Sequence, residues 1–265
     1  MKSRDDSALH SSNNEKSEID IILPNYNKFN YLKEAIDSVI NQTFQDWHLY
    51  IIDDCSNDDS WSVIKKYSNL NNVTHIRLNK NMGPSFCRNY GMRISKSKYI
   101  SFIDSDDSWK KHKLEKQIKF MKENNHCFTY TDYTPFFQKN GKKIFKRKTF
   151  LADTFNFEKF IKNSSINTTT MIIKRSILSS NKFKKVKLME DYLFKCQLLK
   201  KNDAKKLGED LAFYRIVNRS RSSKRLKNIF WLWYINKKYN KLNFFQNIMS
   251  ILSISANSIR KYGFK

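Results

Sequence analysis

The chain is poor in glycine, with five in 265 residues. It carries neither pattern that cradles a phosphate on backbone N–H groups, neither Gly-x-Gly-x-x-Gly after a strand nor Gly-x-x-x-x-Gly-Lys. A dehydrogenase-type dinucleotide site and a P-loop are thereby excluded. Cys55, Cys87, Cys127 and Cys196 form no Cys-x-x-Cys pair, and no histidine stands at zinc-finger spacing. That removes a disulfide framework and a structural zinc site and suits a reducing cytoplasm. No apolar run approaches the roughly 20 residues that cross a bilayer; near the C-terminus the longest is Ile229 to Ile235. Residues 1–17 are polar and mixed in charge, without the apolar stretch of a secretory signal, and are expected to form a disordered leader. Acidic residues run out as well. None follows Asp210, whereas twelve Lys and Arg do, in a chain of formal net charge +25. Such a segment seeks polyanions, either nucleic acid or an anionic membrane face.

What is present is a core and a rhythm. Hydrophobic residues make up 40% of the chain and aromatics 14%, enough to bury a large domain. Ile19–Leu23 reads as a strand closed by Pro24-Asn25-Tyr26-Asn27. Leu32, Ala35, Ile36, Val39 and Ile40 then form one helical stripe, with Lys33, Glu34, Asp37 and Ser38 on the other side. A second strand, Trp47–Ile52, stops on Asp53-Asp54 and precedes a helix near Trp61–Tyr67. A third, Val73–Leu78, turns through Asn81 and Gly83-Pro84 into a helix over about Ser85–Ser95. The fourth, from Tyr99, stops on Asp104-Ser105-Asp106-Asp107. Alternation of this kind predicts an α/β fold with a parallel sheet covered on both faces.

In such sheets ligands bind beyond the carboxyl ends of the strands. Three of those ends carry Asn25-Tyr26, Asp53-Asp54 and Asp104-Ser105-Asp106. Paired acids there are oxygen ligands for a hard cation, and without a glycine cradle a diphosphate needs such a cation. Taken alone, the stretch from Tyr99 to Asp107 also reads as a polar turn closing a strand, because Asp and Ser are common turn residues.

Ile21-Ile22-Leu23-Pro24-Asn25-Tyr26-Asn27, Tyr31-Leu32-x-Glu34-Ala35-Ile36-x-Ser38-Val39, Gln42-Thr43-Phe44, Ile52-Asp53-Asp54-x-Ser56, Asn81-x-Gly83, Arg88-Asn89-x-Gly91 and Asp104-Ser105-Asp106-Asp107 follow in order. With this spacing the chain resembles the family 2 inverting glycosyltransferases of GT-A fold, most densely from Ile19 to Gln117. The likeness thins afterwards to Glu190-Asp191 and Leu211-x-x-Tyr214-Arg215. It implies a GT-A domain over 18–217, with a nucleotide-sugar half (18–117) and an acceptor half (118–217), and a basic helical extension over 218–265. It implies that Asp54 accepts the uracil N3–H of a UDP-sugar, with Tyr26 near the base, the Pro24 backbone touching it and Arg88 approaching the nucleotide. Asp104, Ser105 and Asp106 would form the Asp-x-Asp stretch, in which Asp104 and above all Asp106 hold Mn2+ or Mg2+. Asp191 matches the catalytic base. The partners implied are a nucleotide-sugar donor and a glycan or lipid-linked acceptor of surface-polysaccharide biosynthesis, at the cytoplasmic face of a membrane. Three positions depart from the pattern: Trp109 is followed by no proline, Cys87 precedes Arg88 where alanine is common, and Val217 stands where a histidine is frequent, so no histidine ligand is assigned.

Single displacement at an anomeric carbon needs a base for the acceptor hydroxyl and a Lewis acid for the departing diphosphate, with no covalent nucleophile. Glu190-Asp191 opens an amphipathic segment where a carboxylate can be aimed into a cleft; it also reads as first-turn acids favouring the helix dipole. Further on, strands are expected at Phe128–Tyr133, Lys143–Phe145 and Thr169–Ile173, a helix near Phe157–Lys162, and a polar loop over Asn163–Thr168. In the tail, Arg219–Lys227 and the apolar residues from Ile229 to Ile259 predict two basic amphipathic helices, which either lie on an anionic membrane or pack on the domain. A nucleic-acid-binding protein, suggested by charge, has no use for acids at strand ends, where they repel phosphate; a non-catalytic relative would keep the fold without binding UDP.

Overall fold

The computed structural model describes residues 17–149, 151–179, 181–217 and 225–262. The expected leader, apart from Ser17, and the basic stretch 218–224 lie outside the described residues. Among the described residues ten strands form one mixed, mostly parallel sheet: β1 (Ile19–Asn25), β2 (Trp47–Asp53), β3 (Val73–Arg77), β4 (Tyr99–Phe102), β5 (Ser108–Trp109), β6 (Phe128–Lys139), β7 (Lys142–Phe145), β8 (Thr154–Phe155), β9 (Ile172–Lys174) and β10 (Ala204–Arg215). Their order is β3-β2-β1-β4-β9-β6-β10-β5, with β7 on β6 and β8 on β10. Strands β3, β2, β1 and β4 are parallel neighbours, and β6 runs parallel to β10. Strand β9 is antiparallel to both β4 and β6 and joins the two parallel blocks.

The helices are α1 (Phe29–Ile40), α2 (Ser60–Lys65), α3 (Pro84–Ile94), α4 (Lys113–Glu123), α5 (Phe157–Ile161), α6 (Glu190–Leu199), α7 (Arg225–Ile235) and α8 (Phe244–Tyr262). All seven residues of β1 are buried, as a parallel strand covered on both faces requires. The apolar stripe expected of α1 is the one that packs, with Leu32, Ala35, Ile36 and Val39 buried. Gly91 on α3 has a packing reason: a Cβ there would stand 2.6 Å from Ile22 Cγ2 of β1, so only glycine lets the helix come this close.

Two expected elements differ. Asn167 accepts the N–H of Thr169 and starts a 3-10 turn at Thr168–Thr170, so the strand expected from Thr169 begins at Ile172. Strand β6 runs on to Lys139 through Pro135, whose missing N–H the ladder tolerates; its carbonyl accepts the N–H of Lys146.

Candidate functional site

The carboxyl ends of β1, β2 and β4 lie side by side, with Asn25 opposite Asp53 and Ile22 opposite Phe102. The acids at these ends have two fates. Some turn inward. Asp53 is fully buried, its Oδ1 accepting Asn25 Nδ2 at 2.8 Å and Ser56 Oγ at 2.6 Å, its Oδ2 accepting the N–H of Ser56 at 3.1 Å. It closes its own loop. Asp107 is likewise buried, accepting Thr169 Oγ1 at 2.6 Å and the N–H of Arg215 at 2.9 Å. Burial, reinforced by the neighbouring Asp106 and Asp104 charges, pushes its carboxyl well above the ordinary carboxylate range.

The others face the rim. Asp106 is 21% exposed and accepts Lys28 Nζ at 2.6 Å. Asp104 is 32% exposed and accepts Arg88 Nη2 at 2.6 Å. Ser105 between them is buried. The three acids of this stretch, Asp104, Asp106 and Asp107, therefore resolve into two open carboxylates and one internal strut.

Asp54 is buried at the same rim, and its two oxygens accept the N–H groups of Met82 at 2.6 Å and Gly83 at 2.8 Å. It thereby fixes the start of α3, where Gly83 takes a φ of 85° ahead of Pro84. A carboxylate offers about four lone-pair positions, so these bonds leave acceptor capacity. Pro24 is buried within β1, while Tyr26 just beyond it is exposed at the rim.

Arg88 on α3 is the junction of the site. It is buried, donates to Asp104, and brings Nη1 to 4.0 Å from Glu190 Oε1. Burial alone would lower its pKa, but Asp104, Glu190 and Asp191 together raise it. Its guanidinium stands 5.2 Å from the Phe183 ring centre, and Phe183 stacks on Phe194 of α6 with ring centres 4.0 Å apart. Asn89, next in sequence, clamps the Phe183 backbone through both N–H and carbonyl. One short motif on α3 thus holds Asp104 on one side and the approach to α6 on the other.

At the start of α6, Asp191 is 43% exposed and its Oδ2 accepts Lys195 Nζ at 2.8 Å, one helical turn on. Burial works to raise its pKa, but the charge and hydrogen bond of Lys195, then Arg88, hold the carboxyl below its ordinary value. Lys195 is itself buried and donates also to the Ile166 carbonyl at 2.7 Å and Thr168 Oγ1 at 3.3 Å. Sequence reasoning missed Lys195; its signal was the i, i+4 spacing from Asp191.

Arg215, at the end of β10, was also assigned no role. It donates from Nε to the Asp106 carbonyl at 2.8 Å, from Nη1 to Gln138 and from Nη2 to Glu34 at 2.7 Å, and its backbone N–H holds Asp107. The guanidinium is sandwiched by Tyr31 and Phe136, with ring centres at 4.6 and 4.4 Å. Of the site residues read from sequence, Asp54, Arg88, Asp104 and Asp191 are linked through α3, whereas Asp106 is held by Lys28 and, at its carbonyl, by Arg215.

The description "Glycosyl transferase family 2" matches residues 20–182. A Bacillus subtilis protein provisionally assigned as the teichuronic acid biosynthesis glycosyltransferase TuaG is 30% identical over 94% of this chain and 98% of its own length. The Escherichia coli UDP-Glc:alpha-D-GlcNAc-diphosphoundecaprenol beta-1,3-glucosyltransferase WfgD is 29% identical over 93% of this chain and 95% of its own. Among solved structures, Staphylococcus aureus TarS 1-349 in complex with UDP-GlcNAc superposes with a TM-score of 0.70 at 20% identity, covering 92% of this chain and 73% of that one. The sheet order and the helices around it are those of a GT-A-like α/β fold. The chain belongs to glycosyl transferase family 2.

Proposed function

We propose that the protein is an inverting glycosyltransferase that moves a sugar from a nucleotide-sugar, with UDP as the nucleotide, to a glycan or lipid-linked glycan in surface-polysaccharide biosynthesis. Residues 18–117 take the donor and residues 118–217 the acceptor. The observation that carries this reading is the Arg88 junction, which ties the open carboxylate Asp104 to the Glu190-Asp191 pair. WfgD, by its name a UDP-glucose-dependent enzyme with a diphosphoundecaprenol acceptor, supports the donor and acceptor classes.

In this reading Tyr26 lies along the base, with the Pro24 backbone beside it, and Asp54 accepts the uracil N3–H with its remaining lone pairs while its two present bonds keep it oriented. Arg88 and Lys28 neutralise the diphosphate as it approaches. Asp191 accepts the proton of the acceptor hydroxyl, which attacks the anomeric carbon opposite the departing UDP; one displacement inverts the centre. Its depressed pKa keeps Asp191 ionised throughout the neutral range. No histidine is needed for this proton transfer.

The rim fits a divalent ion. Asp106 already accepts a cationic group, the Lys28 ammonium, and hard carboxylate oxygens suit Mn2+ or Mg2+. Among the described residues no three His, Cys, Asp or Glu gather to hold an ion; one or two carboxylates completed by substrate phosphates is a usual set for Mg2+. Asp106 and Asp104 would hold it. When bound, the ion supplies Lewis-acid stabilisation of the leaving diphosphate.

The test is turnover with UDP-, GDP- and dTDP-sugars on lipid-linked and free glycan acceptors, with NMR of the product's anomeric configuration. The reading expects a UDP-sugar to be used and inverted, and activity to fall by at least about a hundredfold in Asp106→Asn and Asp191→Asn while circular dichroism stays unchanged. Full turnover in either variant, or retention at the anomeric carbon, sinks it.

A further inference from the structure

Helix α8 is docked in the reverse of the usual amphipathic sense. The middle of its inward side is polar: Asn247 and Ser250 are buried, and Ser250 Oγ donates to the Ile161 carbonyl at the end of α5. Asn236, just after α7, donates to Ser250 Oγ at 2.9 Å and to Asn247 at 3.2 Å, and accepts Tyr192 Oη of α6 at 2.8 Å. Further along α8, Asn257 donates to the Lys162 carbonyl at 3.1 Å. Ile251 and Ile254 fill the rest of that side. The outward side is apolar. Phe245, Met249 and Leu252 recur at i, i+4 and i+7 and are 77%, 54% and 60% exposed, with Phe244 beside them and Phe230 exposed on α7.

A buried polar seam anchors this helix at a fixed angle, so the bare apolar stripe is a presented surface and not a misplaced core face. The segment that carries it bears one sign of charge. Lys227, Lys237, Lys238 and Lys241 on it are exposed, and the sequence holds no acid beyond Asp210. A second copy of the same cationic surface is repelled, and nucleic acid offers no apolar phase for a phenylalanine–leucine stripe. We infer that the α7–α8 surface docks on an anionic lipid bilayer, the stripe entering the headgroup–acyl boundary and the lysines meeting lipid phosphates. This goes beyond the glycosyl-transfer reading and does not depend on it. The placement nonetheless has a consequence for that reading. The α5 carbonyls that hold α8 lead into residues 163–168, where Ile166 and Thr168 hold Lys195 beside Asp191. The helix that carries the bilayer face is thus tied, through α5, to the segment that positions Lys195 beside Asp191.

Sedimentation of the full chain with phosphatidylcholine vesicles, with and without phosphatidylglycerol, tests it. Binding is expected only with the anionic lipid, and added salt should weaken it. The triple variant Phe245→Ser/Met249→Ser/Leu252→Ser should lose about tenfold or more in vesicle affinity, and Lys227→Gln/Lys237→Gln/Lys241→Gln should lose the preference for anionic lipid. Because these side chains are exposed, melting temperature and metal-dependent UDP-sugar hydrolysis should stay at wild-type values in both variants, which separates loss of docking from loss of fold or catalysis. No binding to the anionic vesicles, or equal binding by the apolar variant, overturns the proposal. So does a concentration-dependent dimer that this variant dissolves in a chain indifferent to lipid, which would make the stripe a self-interface.

Discussion

The two halves of the sheet hold their acids by different means. In residues 19–102 the strand-end carboxylates are held from within that half: Asp53 by Ser56 three residues on, Asp54 by the N–H groups of Met82 and Gly83 that open α3. In residues 128–215 the key side chains act across the sheet, with Arg215 gripping Asp106, Glu34 and Gln138. Arg88 does the reverse from the first half, reaching Glu190 in the second. Contacts within the first half hold its own acids, whereas two arginines, Arg88 and Arg215, join that half to the second.

The sharpest way to separate the halves is to remove the base and spare the donor rim. Asp191→Asn should lower transfer by roughly 10^2- to 10^4-fold, the usual range for a positioned general base, with UDP affinity unchanged in a binding titration. Cutting the junction should show in stability instead. Arg88→Met removes the buried cation that Asp104 and Glu190 both face and should cost about 2–3 kcal/mol, below the roughly 3–5 kcal/mol of a fully buried pair because Asp104 is partly solvated; the urea midpoint reads it. Within the donor half, Gly91→Ala sets helix propensity against the approach of α3 to β1. Propensity alone would favour alanine by about 1 kcal/mol, but the clash with Ile22 should win and destabilise by about 1–2 kcal/mol, read in the same denaturation.

Lys195→Met tests the acceptor side alone. Burial raises the Asp191 pKa and Lys195 opposes it, so the acid limb of the kcat profile should move to higher pH, with kcat at neutral pH reduced on the order of tenfold by lost positioning. An unmoved acid limb would separate Lys195 from the base. The smallest effect concerns Lys113, buried in α4 and hydrogen-bonded to Gln117. Burial pushes its pKa down to about 7, so the folded state binds fewer protons than the unfolded one between that value and the ordinary lysine value of about 10.4. Stability should therefore gain with rising pH across that window, and Lys113→Met should remove that part of the slope in thermal melts.

The same contrast explains what could be read from sequence. Strands β1 to β4 and helices α1 and α3 appear in the chain as short apolar runs or stripes with turn residues between them, and the structure keeps them within a residue or two. Strand β10 was not legible. Ala204–Arg215 interrupts its apolar residues with Lys205, Lys206, Gly208, Glu209 and Asp210, and only pairing with β6 makes it a strand. The site was legible by residue type but not by role. Nothing in Asp104-Ser105-Asp106-Asp107 says which acid turns inward, because Thr169 and Arg215, the partners that bury Asp107, come from 62 and 108 residues away. Asp20 makes the same point from the other end of β1: a lone acid in an apolar strand, it is buried and accepts the N–H groups of Lys96 and Ser97.

The central claim is that Asp104 and Asp106 present an ion to the diphosphate of a nucleotide-sugar, and calorimetric titration of UDP tests it most directly. With Mn2+ or Mg2+ present, wild-type protein should bind UDP; after chelation, or in Asp106→Asn, affinity should fall by at least about tenfold, the loss of one well-placed charge interaction. UDP bound equally tightly with and without the ion, and equally by Asp106→Asn, would contradict it.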